Sequence, residues 1–269
     1  MDETLLRTDK SFDEERFVEI YEEFKKRDMI LAIASGNSYA RLDAYFTYMN
    51  HDDLYFAADN GNYTVKRGEV LQKNVINSKD LLGAAELLER LSDFTMVFSD
   101  GANVYSTWIN PEYEEYVMSF NPNMKLIESL DEIKNKDILK VACHSPLPLD
   151  EAKDVSQKLI ERFPELDAVT SGGGWMDFYH VGGGKGAAVK ALQDKYGITR
   201  SETMVFGDSL NDASMAYHSK YSVVMSNGDA ELKDIFSYEI GSNNEQAVFD
   251  ILEEVLKTES TDFMEEYKI

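Results

Sequence analysis

Cysteine is almost missing from this 269-residue chain. Cys143 stands alone, which excludes an intramolecular disulfide framework and any all-cysteine metal site. Basic residues are also scarce: 27 Lys and Arg face 50 Asp and Glu, a formal net charge of −23. A surface so negative repels phosphate backbones and anionic headgroups, so neither nucleic acid nor membrane is an expected partner. It would repel a phosphorylated metabolite too, unless a cation or local basic groups reverse the field. No apolar run approaches the ~20 residues needed to span a bilayer, and the first residues lack a basic-then-apolar leader pattern. Internal repeats and low-complexity tracts are absent. These absences leave an acidic, soluble protein of a reducing compartment, which reads as cytoplasmic.

What is present is a globular mixture. Hydrophobic residues make up 43% and charged residues 29%, enough to build a core, and at ~150 residues per domain the length predicts two domains. Over residues 13–27, Phe17, Ile20, Tyr21 and Phe24 recur at helical spacing, with acids in the first turn where the helix dipole favours them. The continuously apolar run 29–34 follows and ends at Ser35-Gly36-Asn37. A helix followed by such a strand is the grammar of a parallel sheet covered on both faces. The last third repeats it: a helix over 186–196, a strand at 204–206 ending in Gly207-Asp208, a strand at 222–225, and a closing helix around 248–255.

The middle reads differently. A hairpin turning at Arg67-Gly68, a helix over 79–92, strands at 94–98 and 103–106 joined through Asp100-Gly101, a strand at 138–143, a helix over 150–163, and strands near 166–169 and 175–180 form a second α/β unit. The predicted fold is α/β: a Rossmann-like parallel-sheet core over 1–61 and 182–269, with an inserted α/β cap domain at 62–181.

The chemistry-bearing stretch is Gly207-Asp208-Ser209-Leu210-Asn211-Asp212. Ligands of open parallel sheets sit beyond the carboxyl ends of the strands, and this segment puts two carboxylates and an amide there. Oxygen donors of that kind suit Mg²⁺ with water and substrate phosphate as further ligands; alternatively, Asn211 and Asp212 simply cap a helix. Ser35 and Gly36 offer a hydroxyl and backbone N–H groups to a phosphate oxygen, or else a plain N-cap. Lys185, inside Gly182-Gly183-Gly184-Lys185-Gly186, could neutralise a dianion or be merely solvated. It is not a P-loop lysine, because Tyr179 falls where the first glycine belongs and Gly186 replaces Ser or Thr. Nor is the glycine run 172–174 a dinucleotide fingerprint. On the strand leaving the insertion, Trp175, Asp177 and Tyr179 alternate, so that one of them could reach a bound ligand. His180 reads as packing, and Cys143-His144 lacks a third partner for nucleophilic work.

Taken together, Asp2-x-Thr4-Leu5-Leu6, Ser35-Gly36, Lys185-Gly186 and the Gly-Asp-Ser-Leu-Asn-Asp motif occur in one order with plausible gaps. The series resembles the haloacid dehalogenase-like superfamily, specifically the Cof-type phosphatases with a large α/β cap. Asp59-Asn60-Gly61, the stretch from Met225 to Lys233, and Gly241-Ser242-Asn243-Asn244 extend the likeness along the chain. The resemblance implies a Mg²⁺-dependent phosphomonoesterase for a small phosphorylated metabolite, with sugar phosphates as the leading class. It implies that Ser35 and Gly36 bind the phosphoryl group, that Lys185 offsets its charge, and that Asp208 binds Mg²⁺ with Asp212 in support. Asn211 reaches the phosphate or a metal water. Asp2 matches the general acid/base, its carbonyl also binding Mg²⁺.

Two departures stand out. Glu3 occupies a position where glycine is usual. The family's nucleophilic aspartate, two positions before the acid/base, would precede Met1, as would the apolar strand leading into it. A carboxylate nucleophile splits phosphate ester hydrolysis into two easier steps. The expectation is that the natural chain starts upstream and that the chain as written turns over poorly. The alternative is a non-catalytic sugar-phosphate-binding protein.

Overall fold

Phe17, Ile20, Tyr21 and Phe24 are all buried on one stripe of α1 (Glu14–Lys26), as their spacing predicts. Asp13 caps the helix by accepting the Arg16 N–H at 3.1 Å, and Lys25 and Lys26 sit in the last turn, where the dipole favours cations. The computed structural model containing this helix describes residues 1–269 apart from Ser92, Pro146, Gly172 and Gly173. The glycine run read from the sequence as no dinucleotide fingerprint therefore lies partly outside the described residues.

After α1 come β1 (Ala32–Ala34), α2 (Tyr39–Ala44) and β2 (Tyr55–Ala58), with β1 and β2 parallel and Ile33 opposite Phe56. Strands β3 (Tyr63–Lys66) and β4 (Glu69–Lys73) add on antiparallel, giving a first core sheet in the order β1-β2-β3-β4. Their two-residue turn has Arg67 at φ 51° and Gly68 at φ 77°, and a turn with both central residues left-handed matches the twist of the flanking strands. This pairing corrects the expectation that the insertion starts at residue 62. The hairpin extends the core sheet, because β3 hydrogen-bonds to β2 and shares its core through Val65.

The inserted unit carries α3 (Ser78–Leu91), β5 (Thr95–Ser99), β6 (Val104–Ser106), α4 (Glu114–Phe120), β7 (Lys125–Leu126), β8 (Lys140–His144), α5 (Leu149–Arg162), β9 (Leu166–Ser171) and β10 (Trp175–His180). Its six strands form a separate sheet, β7-β6-β5-β8-β10-β9. Strand periodicity sorts its two faces. Met96, Phe98, Val141, Cys143, Met176 and Phe178 pack under α3 and α5. The residues between them, including Val97, Ser99, Lys140, Ala142, Trp175 and Asp177, line the cleft facing the core. The β5–β6 turn uses four residues, Asp100–Asn103, rather than Asp100-Gly101 alone, since Ser99 pairs with Val104.

The chain returns through α6 (Lys185–Tyr196), β11 (Met204–Gly207), α7 (Ala213–Ala216), β12 (Tyr221–Met225), α8 (Ala230–Lys233), β13 (Tyr238–Ile240) and α9 (Ala247–Thr258). Strands β11-β12-β13 form an all-parallel second core sheet. Helices α1 and α9 pack together, with the Arg16 guanidinium bonded to Asp250 and Glu253 and lying 5.5 Å from the centre of the Phe249 ring. The two core sheets are not joined: β1 and β11 are both edge strands. A cavity of about 530 Å³ separates them, lined by the backbone-bearing edges at 31–34 and 204–206, with Met1, Thr4 and Leu5 also at its wall.

Candidate active site

Gly207 ends β11 with its α-carbon against Asp212, so closely that a Cβ there would lie 2.6 Å from the Asp212 Cβ. Only glycine lets the loop fold back on itself at this point. Folded so, Asp212 Oδ2 accepts the backbone N–H groups of Asp208 at 3.0 Å and Ser209 at 3.2 Å. Its other oxygen, Oδ1, accepts Lys185 Nζ at 2.6 Å. Both oxygens of Asp212 are therefore engaged, and the residue is 3% exposed. Asp212 braces the loop and the lysine, while Asp208 is the carboxylate that lines the cleft. The Thr4 hydroxyl donates to Asp208 Oδ1 and fixes its orientation.

Lys185 opens α6 and is 4% exposed, so the sequence alternative of a solvated lysine does not apply. Ser35 follows β1 and is equally buried. Its Oγ accepts the Asn37 N–H at 3.1 Å, leaving the hydroxyl proton free to be given to an anion. The Asn37 side-chain amide donates to Asp2 Oδ2 at 2.8 Å, and Lys10 Nζ lies 3.1 Å from Asp2 Oδ1. Asn211 donates to Asn60 Oδ1 at 3.1 Å. The structure thus brings Asp2, Ser35, Gly36, Lys185, Asp208 and Asn211 to one cleft of about 520 Å³.

The inserted sheet closes that cleft with a buried polar group that sequence reasoning did not single out. Lys140 Nζ donates to the Gly36 carbonyl at 2.6 Å and lies 3.3 Å from Asp177 Oδ2 and 3.9 Å from Asp59 Oδ1. Asn60 donates to Asp177 Oδ2 at 2.6 Å, and Ser99 donates to Asp59 Oδ2 at 2.9 Å. One signal was available: Lys140 interrupts the otherwise apolar run 138–143, and charged residues are almost never fully buried unless paired. Of the three alternating residues on β10, Trp175 and Asp177 line the cleft. Tyr179 is buried instead near Gly184. His180 accepts the Gly182 N–H through Nδ1 at 3.0 Å and serves the loop before α6. Cys143 is buried under the cap helices, where desolvation pushes its thiol up and keeps it unreactive.

Electrostatics separate the carboxylates. Burial, then the Asp212 charge, push Asp208 up to about 6. Burial is the largest influence on Asp212 and acts to raise it, but the charge and hydrogen bond of Lys185, the N-terminal ammonium and the Asp208 N–H together hold that carboxyl below its usual range. Asp2 is likewise held low against burial, by the N-terminal ammonium, Lys10 and Asn37. Asp59, wholly buried, is pushed up to about 6 in spite of Lys140 and Ser99. Among the described residues no three His, Cys, Asp or Glu side chains converge as a metal cage. Mg²⁺ needs none: it takes one or two protein oxygens and keeps water and phosphate for the rest, so the Asp208 carboxylate with the main chain at Asp2 fits it.

A family model described as haloacid dehalogenase-like hydrolase matches residues 1–252. The 5-amino-6-(5-phospho-D-ribitylamino)uracil phosphatase YbjI of Escherichia coli (strain K12) is 28% identical over 265 residues, covering 97% of this chain and 95% of its own. Among solved structures, SMU.1108c from Streptococcus mutans UA159 superposes with a TM-score of 0.88 at 24% identity, over 96% of this chain and 97% of that one. The subclass IIB sugar phosphatase BT4131 superposes with a TM-score of 0.79 at 19% identity, over 94% and 96%.

Proposed function

Since the chain belongs to the haloacid dehalogenase-like hydrolases, as a relative of their phosphatases, we propose that it is a Mg²⁺-dependent phosphomonoesterase for a small phosphorylated metabolite with a sugar- or polyol-derived alcohol. The observation that carries this reading is the convergence of Ser35, Lys185, Asp208 and Asp2 under a cap that closes over them. The printed activities of the Escherichia coli phosphatase and of the sugar phosphatase support the substrate class. Nothing in the comparisons favours the non-catalytic binder.

In this reading the Ser35 hydroxyl and the backbone N–H groups after it hold the transferring phosphoryl group, and Lys185, locked by Asp212, faces its equatorial oxygens. Charge stabilisation of this fixed kind is where most catalysis of phosphoryl transfer resides. Mg²⁺, when bound at Asp208, adds electrostatic stabilisation of the phosphate and relieves the cost of keeping that buried carboxylate ionised. Asp2 protonates the leaving oxygen and later takes a proton from water. Its carboxyl is held low, so it is ionised until the dianionic substrate arrives and raises its proton affinity. Phosphate release from sugar phosphates, measured with Mg²⁺ and with chelator, tests the reading; release that ignores the chelator overturns it.

A further inference from the structure

We propose that Glu3 and Lys10 are a positioning pair for Asp2: Glu3 aims the Lys10 ammonium, and Lys10 with Asn37 fixes the plane of the Asp2 carboxyl from which the leaving oxygen is protonated. This assignment rests on the phosphomonoesterase reading and adds two residues to it. Two backbone outliers carry it. Glu3 and Lys10 have φ of 53° and 68°, left-handed values that residues with a Cβ seldom adopt. Glycine would adopt these values freely, yet neither position uses it. Both outliers line the cleft, and their side chains meet beside the same carboxylate. Lys10 Nζ lies 3.1 Å from Asp2 Oδ1 and 3.5 Å from Glu3 Oε1. Strained residues that converge on one reactive group are a mark of function.

Each member of the pair is itself held. The Arg7 N–H donates to the Ser11 carbonyl at 2.8 Å and the Lys10 N–H to the Arg7 carbonyl at 2.9 Å, a turn that folds Lys10 back over Asp2. Buried Asn243 donates its side-chain amide to Glu3 Oε2 at 3.3 Å, and Asn227 donates to the Glu3 carbonyl at 2.9 Å. The two asparagines support each other, since the Asn243 N–H donates to Asn227 Oδ1 at 3.0 Å. Asp2 consequently has an amide on Oδ2 and an ammonium beside Oδ1. Partners on both oxygens oppose rotation of the carboxyl, while a carboxylate has lone pairs enough to keep one open to a proton. Folding stability does not account for the arrangement. The Lys10 and Glu3 side chains are 41% and 42% exposed, and ion pairs so open contribute little to stability. Acid catalysis does account for it, because a proton donor works only within hydrogen-bond reach of the oxygen it serves.

The test compares leaving groups, using the full chain with Mg²⁺. An alkyl phosphate needs a proton on its departing oxygen, whereas p-nitrophenyl phosphate departs as a stable anion and needs none. The alkyl ester is whichever of ribitol 5-phosphate, glucose 6-phosphate and glycerol 3-phosphate the parent hydrolyses fastest. The quantity read is kcat/KM, which reports transition-state stabilisation up to departure of the leaving group. Lys10→Met should lower it about tenfold for the alkyl ester, a fraction of what general acid catalysis supplies, and far less for p-nitrophenyl phosphate. Lys10→Arg should recover most of the loss. Glu3→Gly relieves the left-handed backbone, so it should melt at least as high as the parent while still losing efficiency on the alkyl ester. A protein that is no less stable and slower only where a proton is needed has not been damaged in its fold. Equal losses on both esters, or no loss in either Lys10→Met or Glu3→Gly, overturn the pair and leave the phosphomonoesterase reading standing. Hydrolysis of p-nitrophenyl phosphate alone by the parent overturns it too, since a positioned acid would then serve no leaving group. A parent that hydrolyses none of the four esters overturns the phosphomonoesterase reading itself.

Discussion

Lys140 Nζ donates to the carbonyl of Gly36 at 2.6 Å, joining the inserted sheet to the loop that ends β1. A buried ammonium on one unit thus reads the backbone position of the other, and the same ammonium neutralises Asp177 and Asp59. The closed cap and the ordered phosphate loop are consequently one arrangement.

Removing that ammonium should be costly. Lys140→Met leaves two buried carboxylates facing each other, and breaking a buried pair in this way typically costs about 3–5 kcal/mol. Urea denaturation should show a loss of that order, and phosphatase kinetics should show a raised KM, because Gly36 loses its partner. The double variant Lys140→Met/Asp177→Asn should lose less than the sum of the single variants, since it removes one of the stranded charges. Strict additivity would show that the pair is not coupled.

Asp59 should give the fold a distinctive pH dependence. Its carboxyl titrates near 6 in the native state against an ordinary value of 3.8. Between those values the native state holds a proton that the unfolded chain has released, so the contribution of this group to stability falls as pH rises from about 4 to about 6 and stays low above. Asp59→Asn keeps an acceptor for Ser99 and tolerates the left-handed backbone, φ 50°, at this position. The variant should therefore be more stable than the parent at pH 7, by up to roughly 3 kcal/mol, with the advantage vanishing by about pH 4. Thermal melts at both pH values check the sign; a less stable variant at pH 7 would refute the argument.

Asp208 and Asp212 should fail differently. Asp208→Ala removes the carboxylate that faces the cleft and should abolish Mg²⁺-dependent phosphate release. Asp212→Ala releases Lys185 and two loop N–H groups, so it should lower stability by about 3 kcal/mol or more while weakening the metal response less. Magnesium titration of activity beside urea melts separates the two; full activity of both variants in chelator would remove the metal mechanism.

Much of the scaffold was legible in the sequence, because local patterns state local facts. The buried stripe of α1, the positive-φ turn at Arg67-Gly68, and the strand-to-loop transitions at Ser35 and Asp208 each depend on spacing within a few residues. Order along the chain then tied Asp2, Ser35, Lys185 and Asp208 to one site. Tertiary structure alone decided the rest. Strand β2 was not singled out from the sequence, since the apolar stretch Leu54–Ala58 is too short to show a period. The hairpin at 63–73 joined the core rather than the insertion because pairing partners are chosen across space, where one edge of β2 was open to it. Asp212 came to brace Lys185 and two loop N–H groups only once Gly207 let the loop close on it. And the union of Lys140 with Gly36 lies 104 positions apart in sequence; no local pattern encodes which buried charge will find which carbonyl, because that choice is made by the packing of two sheets against each other.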